Sequence, residues 1–321
     1  MSADVTERML HLRQIPVATM LGAPMLRILA GALRPRTLRE GRTLVKQGGP
    51  MEGMYLLTDG AVRLERAGAP FGELRAPQTL GFLSILARTE APWDAIAATE
   101  TRAYELETDT LLDLFADHFD LFEATLRYLA ERLWFEFQEL PQEMLGIAPV
   151  DLGDVPDRAI DIVEKVLYMR KTSAFASANV NALAVMGRQL EEVRIPAGMR
   201  IWSAGDPGDR VITLLKGTVR CNVPDGRTFT YGPGTGMGGI DAIADRPRWF
   251  DAIAETPVVG LAGHTHDLLD LFEQQHKMAM DFVMMLARAQ AGLLERKAKL
   301  GQNPLAATRV AKKLGAVRYG A

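Results

Sequence analysis

Apolar residues recur at helical spacing in four stretches of the chain, and short glycine-punctuated apolar runs lie between them. Pro24–Leu33 and Asn179–Leu190 each carry an apolar face at helical spacing. The strings that follow, LVKQGGPMEGMYLLTDGAVRLERAG (44–68) and IWSAGDPGDRVITLLKGTVRCNVPDG (201–226), break apolar runs with turns of Gly, Asp and Pro. Such punctuation predicts short strands. Farther on, Leu121–Glu139 places Phe122, Leu126, Leu129, Leu133 and Phe137 at helical spacing, and Met278–Leu300 does so with Phe282, Met285, Leu286, Leu293 and Leu294. The pattern predicts a helix, a small antiparallel β-structure and a helix, twice over, an α+β arrangement.

The doubling is a repeat at one fixed offset. The strings DAIA at Asp94 and at Asp251 lie 157 positions apart. At the same offset Gly81 meets Gly238, Gly60 meets Gly217, Pro50 meets Pro207, Gly48 meets Gly205 and Gly41 meets Gly198. The pentapeptide LLDLF at Leu111–Phe115 meets its copy at Leu268–Phe272. Between the copies, Leu140–Arg158 holds three prolines and two glycines and reads as a boundary. The expected division is a first domain over 1–140, a linker over 141–158, a second domain over 159–300 and a basic tail over 301–321.

Composition narrows the function. Apolar residues make up 48% of the chain and charged residues 24%, ordinary values for a globular protein. A net charge of −3 argues against a whole-protein grip on nucleic acid or an anionic membrane. The single cysteine, Cys221, allows no intrachain disulfide and suits a reducing, cytoplasmic setting. The opening MSADVTERMLHLRQ has no long apolar run, so a secretory signal and a membrane span are not expected.

AGDPGDRVITLLKGTVR (204–220) resembles the glycine-marked hairpin of cyclic-nucleotide-binding domains. These are the β-rolls, or double-stranded β-helices, of catabolite-activator-type regulators and protein kinase A regulatory subunits. The glycines recur as Gly48 and Gly60, and the resemblance covers both copies. It implies two tandem β-roll domains with flanking helices.

It also implies a phosphate-binding cassette: Gly-Glu opening a short helix, then Arg before a small residue and Ala. A helix start offers free N–H groups to the phosphate, the Arg neutralises it through charge-assisted bonds, and the Glu accepts from the ribose hydroxyl. Here the cassettes read GFLSILARTEAPWDA (81–95) and GGIDAIADRPRWFDA (238–252). Gly81 and Gly238 keep the glycine. Phe82 and Gly239 stand at the Glu position, Trp93 and Phe250 at the Arg position, and Asp94 and Asp251 at the small position. A buried phosphodiester without its Arg carries a cost of about 3–5 kcal/mol, against roughly 8 kcal/mol for micromolar binding. Binding of cAMP or cGMP in the family manner is therefore not expected, and rescue by an inward Arg248 or Arg246 is not expected either.

Other signals have plain readings. GTGMGG (234–239) matches a dinucleotide fingerprint but lies in the predicted roll, and reads as a turn. His264 and His266 share one predicted strand face without a third ligand, so no metal is expected. Cys221 falls in a strand as a core filler. Trp93 and Phe250 are expected to fill the vacated pocket, and Trp249, facing the other way, to form an exposed patch for a partner. Met278, Phe282, Met285, Ala289 and Gly292 fall on one stripe, the candidate contact of a homodimer. The tail from Arg296 has seven basic and no acidic residues but is too short for a helix-turn-helix domain, so DNA binding is not expected. The reading is a non-enzymatic regulatory or scaffold protein without a cofactor that works through a protein partner. The alternatives are a sensor of another small ligand, or a nucleic-acid-linked regulator using the tail.

Overall fold

The computed structural model describes residues 3–172, 174–176 and 178–299. The basic tail over 301–321 falls outside them. The chain forms two compact units: Met1–Tyr128 together with the chain from Leu286, and Leu129–Met285.

The first unit opens with α1 (Ala3–Leu12) and α2 (Ala23–Ala32), which pack on each other. α2 has Pro24 in its first turn, where the missing N–H costs nothing, and buries Met25, Leu26, Leu29 and Ala30. Next come β1 (Arg34–Leu38), β2 (Thr43–Val45), β3 (Gly53–Asp59), β4 (Ala61–Arg66), β5 (Ala69–Arg75) and β6 (Thr79–Leu80). α3 (Phe82–Ala87), β7 (Asp94–Ala97), β8 (Thr101–Glu107), α4 (Thr108–Asp117) and α5 (Phe119–Glu139) follow. Two four-stranded antiparallel sheets, ordered β1-β8-β3-β6 and β2-β7-β4-β5, make the roll. Alternation puts Val62 and Leu64 of β4 and Ala95 and Ala97 of β7 in the core.

The second unit repeats this plan with α6 (Ile162–Lys171), α7 (Val180–Gln189), β9 (Glu191–Ile195), β10 (Arg200–Trp202), β11 (Arg210–Lys216), β12 (Val219–Asn222) and β13 (Thr228–Tyr231). It continues through β14 (Gly236–Met237), α8 (Gly239–Ile243), β15 (Asp251–Ala254), β16 (Val258–His264), α9 (Thr265–Gln274) and α10 (His276–Lys299). Its sheets, β14-β11-β16-β9 and β10-β15-β12-β13, match those of the first unit strand for strand. α6 starts at a capping box in which Asp161 accepts from the Glu164 N–H and Glu164 accepts from the Asp161 N–H. The starts of β3 and β11, β7 and β15, β8 and β16, α4 and α9, and α5 and α10 all keep the offset of 157. The α+β reading with two tandem β-rolls stands.

Gly60 and Gly217 show why the repeat keeps its glycines. Both turn at positive φ, 83° and 89°. A methyl group on either would run into a backbone carbonyl, that of Glu100 or that of Pro257, themselves equivalent positions.

The unit boundaries fall inside α5 and α10, whereas the proline-rich stretch had placed the division over 141–158. That stretch packs within the second unit. Leu152 and Val155 are buried, the Val150 N–H donates to the Pro233 carbonyl at 2.8 Å, and the Tyr168 hydroxyl donates to the Asp154 carbonyl at 2.7 Å. α5 has 21 residues and α10 has 24, so each is long enough to give its two halves to different cores.

Candidate functional site

In the second unit, Gly238 takes a left-handed conformation (φ 77°) and caps the single short turn of α8. The chain returns through Arg246–Phe250 into β15. Arg246 is paired with the buried Glu131 of α5, and the Pro247 carbonyl accepts from the Trp134 indole at 3.2 Å. Arg248 is only 3% exposed. Its Nη1 donates to the Gly238 carbonyl at 2.9 Å and lies 3.3 Å from Asp241 Oδ2, and its Nη2 donates to the Arg210 carbonyl at 2.6 Å. The guanidinium sits 4.2 Å from the centre of the Trp202 ring. Burial pushes the Asp241 carboxyl up to about 6, although Arg248 pulls it the other way.

The inside of this roll is filled by rings. Phe250, 1% exposed, meets Trp249 edge-on at 5.0 Å and Phe229 at 5.1 Å, with Trp202 at 5.8 Å and Tyr231 at 6.1 Å. Phe229 and Trp249 stack at 5.4 Å, 17° from parallel. Cys221 is fully buried in the same cluster, and burial raises its thiol.

The first unit is built on the same backbone with different contents. Gly81 (φ 93°) caps α3, and Phe82 and Trp93 are both half-buried. The ring positions of the second unit, Trp202, Phe229, Tyr231 and Trp249, correspond here to Val45, Gly72, Leu74 and Pro92, so Trp93 is the only ring of the five. The end of α10 closes this cassette. Arg288 Nε donates to the Ala87 carbonyl at the end of α3 at 2.9 Å. Arg66 donates to the Pro92 carbonyl at 3.0 Å and makes a two-pronged pair with Glu295, both bonds 2.7 Å.

Several expectations are corrected. Trp249 is not an exposed patch. β15 begins at Asp251, so strand alternation does not reach Trp249, and its ring is 9% exposed in the core. Asp94 and Asp251 do not point at an anion site. Asp94 accepts from the Gln47 N–H and Asp251 from the Ala204 N–H, each at 2.8 Å, and Arg200 adds a pair to Asp251 at 3.1 Å. Arg248 is inward, but it is already engaged with Asp241. Gly239, at the Glu position, lies in α8, where an added Cβ would come to van der Waals distance of Val211.

The stripe on α10 is not a free dimer face either. Met278 and Phe282 are buried, Phe282 lying against Phe175 and Phe272, while Met285 is half-buried and only Ala289 is exposed. His266 lies in the first turn of α9, which follows the strand that ends at His264, and the two imidazoles stack at 5.5 Å. Among the described residues no cluster of three or more His, Cys, Asp or Glu could hold a metal ion. No described helix is long and apolar enough to cross a membrane.

Sequence reasoning named Arg248 but missed Asp241. The signal was present at the offset of 157, which sets Asp241 and Arg248 against Ser84 and Ala91.

The chain is 25% identical over 125 residues to the CRP-like cAMP-activated global transcriptional regulator of Mycobacterium tuberculosis, a match covering 37% of this chain and 56% of that protein. It is 32% identical over 89 residues to the cAMP-dependent protein kinase regulatory subunit of Eremothecium gossypii, covering 28% of this chain and 19% of that one. The chain thus spans about half the length of the first relative and about a fifth of the second. Among solved structures, the regulatory subunit of a cAMP-independent protein kinase A from Trypanosoma cruzi, bound to guanosine, aligns over 93% of this chain and 94% of its own at 14% identity and a TM-score of 0.37. The model of the cyclic nucleotide-binding domain matches residues 35–118 and 192–275, two spans 157 residues apart that together take in half of the chain. The chain belongs to the cyclic nucleotide-binding domain family and carries that domain twice.

Proposed function

We propose that this chain is a non-enzymatic regulatory protein that acts through contact with a protein partner, and that neither unit takes cAMP or cGMP in the family manner. The observation that carries the reading is Phe250. At the position of the family's Arg it offers no charge, and with Trp202, Phe229, Tyr231 and Trp249 it fills the inside of the second roll. In the first unit Phe82 and Trp93 hold the corresponding places, so neither the Glu nor the Arg of the family cassette is present there. A phosphodiester entering either site would leave water without a matching charge, a cost that ring stacking does not offset.

A second reading has support in the first unit alone. Phe82 and Trp93 are half-buried there, and only one ring stands where the second unit has five. Those features suit a flat, uncharged ligand better than a cyclic nucleotide.

Calorimetry of the whole chain with cAMP and with cGMP decides the matter. No binding heat at high micromolar ligand is the expected result. A micromolar dissociation constant for either nucleotide would overturn the regulatory-scaffold reading and favour a sensor.

A further inference from the structure

The two cassettes share one backbone, and one of the differences between them is a buried pair of side chains. In the first unit the Gly48 N–H donates to the Ala91 carbonyl at 2.9 Å, and the Ala91 N–H donates to Gly49 at 3.0 Å. In the second, the Gly205 N–H donates to the Arg248 carbonyl and the Arg248 N–H to Asp206, both at 2.8 Å. Ala91 and Arg248 therefore occupy the same place, as do Ser84 of α3 and Asp241 of α8. All four are buried. One unit puts a methyl and a hydroxyl where the other puts a guanidinium and a carboxylate.

A lone charge at either place would be costly, since removing one partner of a buried pair leaves the other uncompensated. Both charges are present in one copy and both are missing from the other. Arg248 lies against Asp241 and lowers its carboxyl, and the charge of Asp241 adds to the rise of the Cys221 thiol of β12 and of the Tyr231 phenol of β13. Burial raises the thiol and the phenol, so both are neutral, and Arg248 is the countercharge of Asp241. Most of the guanidinium is engaged in turn: its two Nη groups are held by Asp241 and by the Gly238 and Arg210 carbonyls and its face lies on Trp202, while its Nε is buried without a hydrogen-bond partner.

We infer that Asp241 is the resident anion of the second cassette: it holds Arg248 as its counter-ion and shuts this unit to anionic ligands, a lock that the first unit lacks. The inference rests on the reading of both units as altered cyclic-nucleotide-binding domains. An outside phosphate must displace a carboxylate tethered within the same cassette, against which free ligand competes poorly. Neutralising that carboxylate frees the cation. Its raised pKa places this step in mild acid.

The test uses the whole chain and inorganic phosphate as the probe. Phosphate affinity is measured by calorimetry for the unchanged protein, for Asp241→Asn and for Asp241→Asn with Arg248→Ala. Asp241→Asn is expected to bind phosphate at least about tenfold more tightly than the unchanged protein, the equivalent of about 1.4 kcal/mol. The added Arg248→Ala change is expected to abolish the gain. Equal affinity in the first two proteins, or a gain that survives loss of Arg248, overturns the lock.

Should Asp241→Asn fail to fold, the unchanged protein still answers. Its phosphate affinity is expected to rise at least about tenfold between pH about 8 and about 5, because Asp241 takes up its proton there. The Arg248→Ala variant should show no such rise. A rise that persists in Arg248→Ala, or none in the unchanged protein, rejects the lock. Binding of cAMP by the unchanged protein at neutral pH would instead undo the functional reading, and the Asp241 variants would still decide the lock.

Discussion

Asp94 and Asp251 make the same bond in the two units: each accepts a backbone N–H, from Gln47 and from Ala204, at 2.8 Å. The donors are themselves 157 residues apart, so the echo of the DAIA string is a shared loop pin. A carboxylate held by a backbone N–H is worth about 1–2 kcal/mol net. Replacing Asp251 by Ala should speed hydrogen exchange at the Ala204 amide roughly tenfold and leave the Gln47 amide unchanged. Exchange measured by mass spectrometry checks this, and Asp94→Ala should give the mirror result.

Phe250 and Trp93 hold equivalent positions but carry unequal weight. Phe250 is enclosed by four rings, so Phe250→Ala should destabilise the second unit by about 3–5 kcal/mol. Trp93 is half-buried, and Trp93→Ala should cost the first unit about 1–2 kcal/mol. Trp134, Trp202 and Trp249 all lie in the second unit, so tryptophan fluorescence during urea unfolding follows that unit for the Phe250 variant.

Asp241 sets a pH dependence with a definite sign. Its carboxyl ionises near 3.8 in the unfolded chain and near about 6 when folded. Between those values the folded state holds the proton and the unfolded state does not. Stability from this site is therefore complete below pH 3.8 and is lost as pH rises through about 6, at a slope of no more than about 1.4 kcal/mol per pH unit. Chemical denaturation across that window, set against Asp241→Ser with Arg248→Ala, should show the difference shrinking with rising pH and flat above it.

Gly217→Ala and Gly60→Ala should destabilise their units by similar amounts, about 2 kcal/mol or more each. Both need a left-handed backbone and both would press a methyl into a carbonyl oxygen. Thermal melts of the two variants side by side check whether the turns are equivalent.

Much of this architecture was legible in the sequence because glycines at positive φ and a shared offset do not depend on what surrounds them. α2, α7, α5 and α10 fall within two residues of the stretches read from apolar spacing. The site was harder to read. Trp249 was assigned by alternation to a strand that starts two residues later. The stripe of Met278 and Phe282 is apolar whether its cover is a second copy or the unit that holds it, and periodicity does not tell these apart. Asp241 went unread because a carboxylate in a five-residue helix has no pattern of its own. Only its burial beside Arg248 gives it a role.

The first unit takes its closing contacts from far along the chain. Arg66 meets Glu295 across 229 positions, and the Ala87 carbonyl meets Arg288 across 201. Synthesis runs from the N-terminus, so the first roll leaves the ribosome well before the helix that closes its cassette. Until α10 emerges, the end of α3 and the Arg66 guanidinium stand without those partners. The order of translation thus makes the second unit the earlier one to be completed, although it is the later one to be encoded.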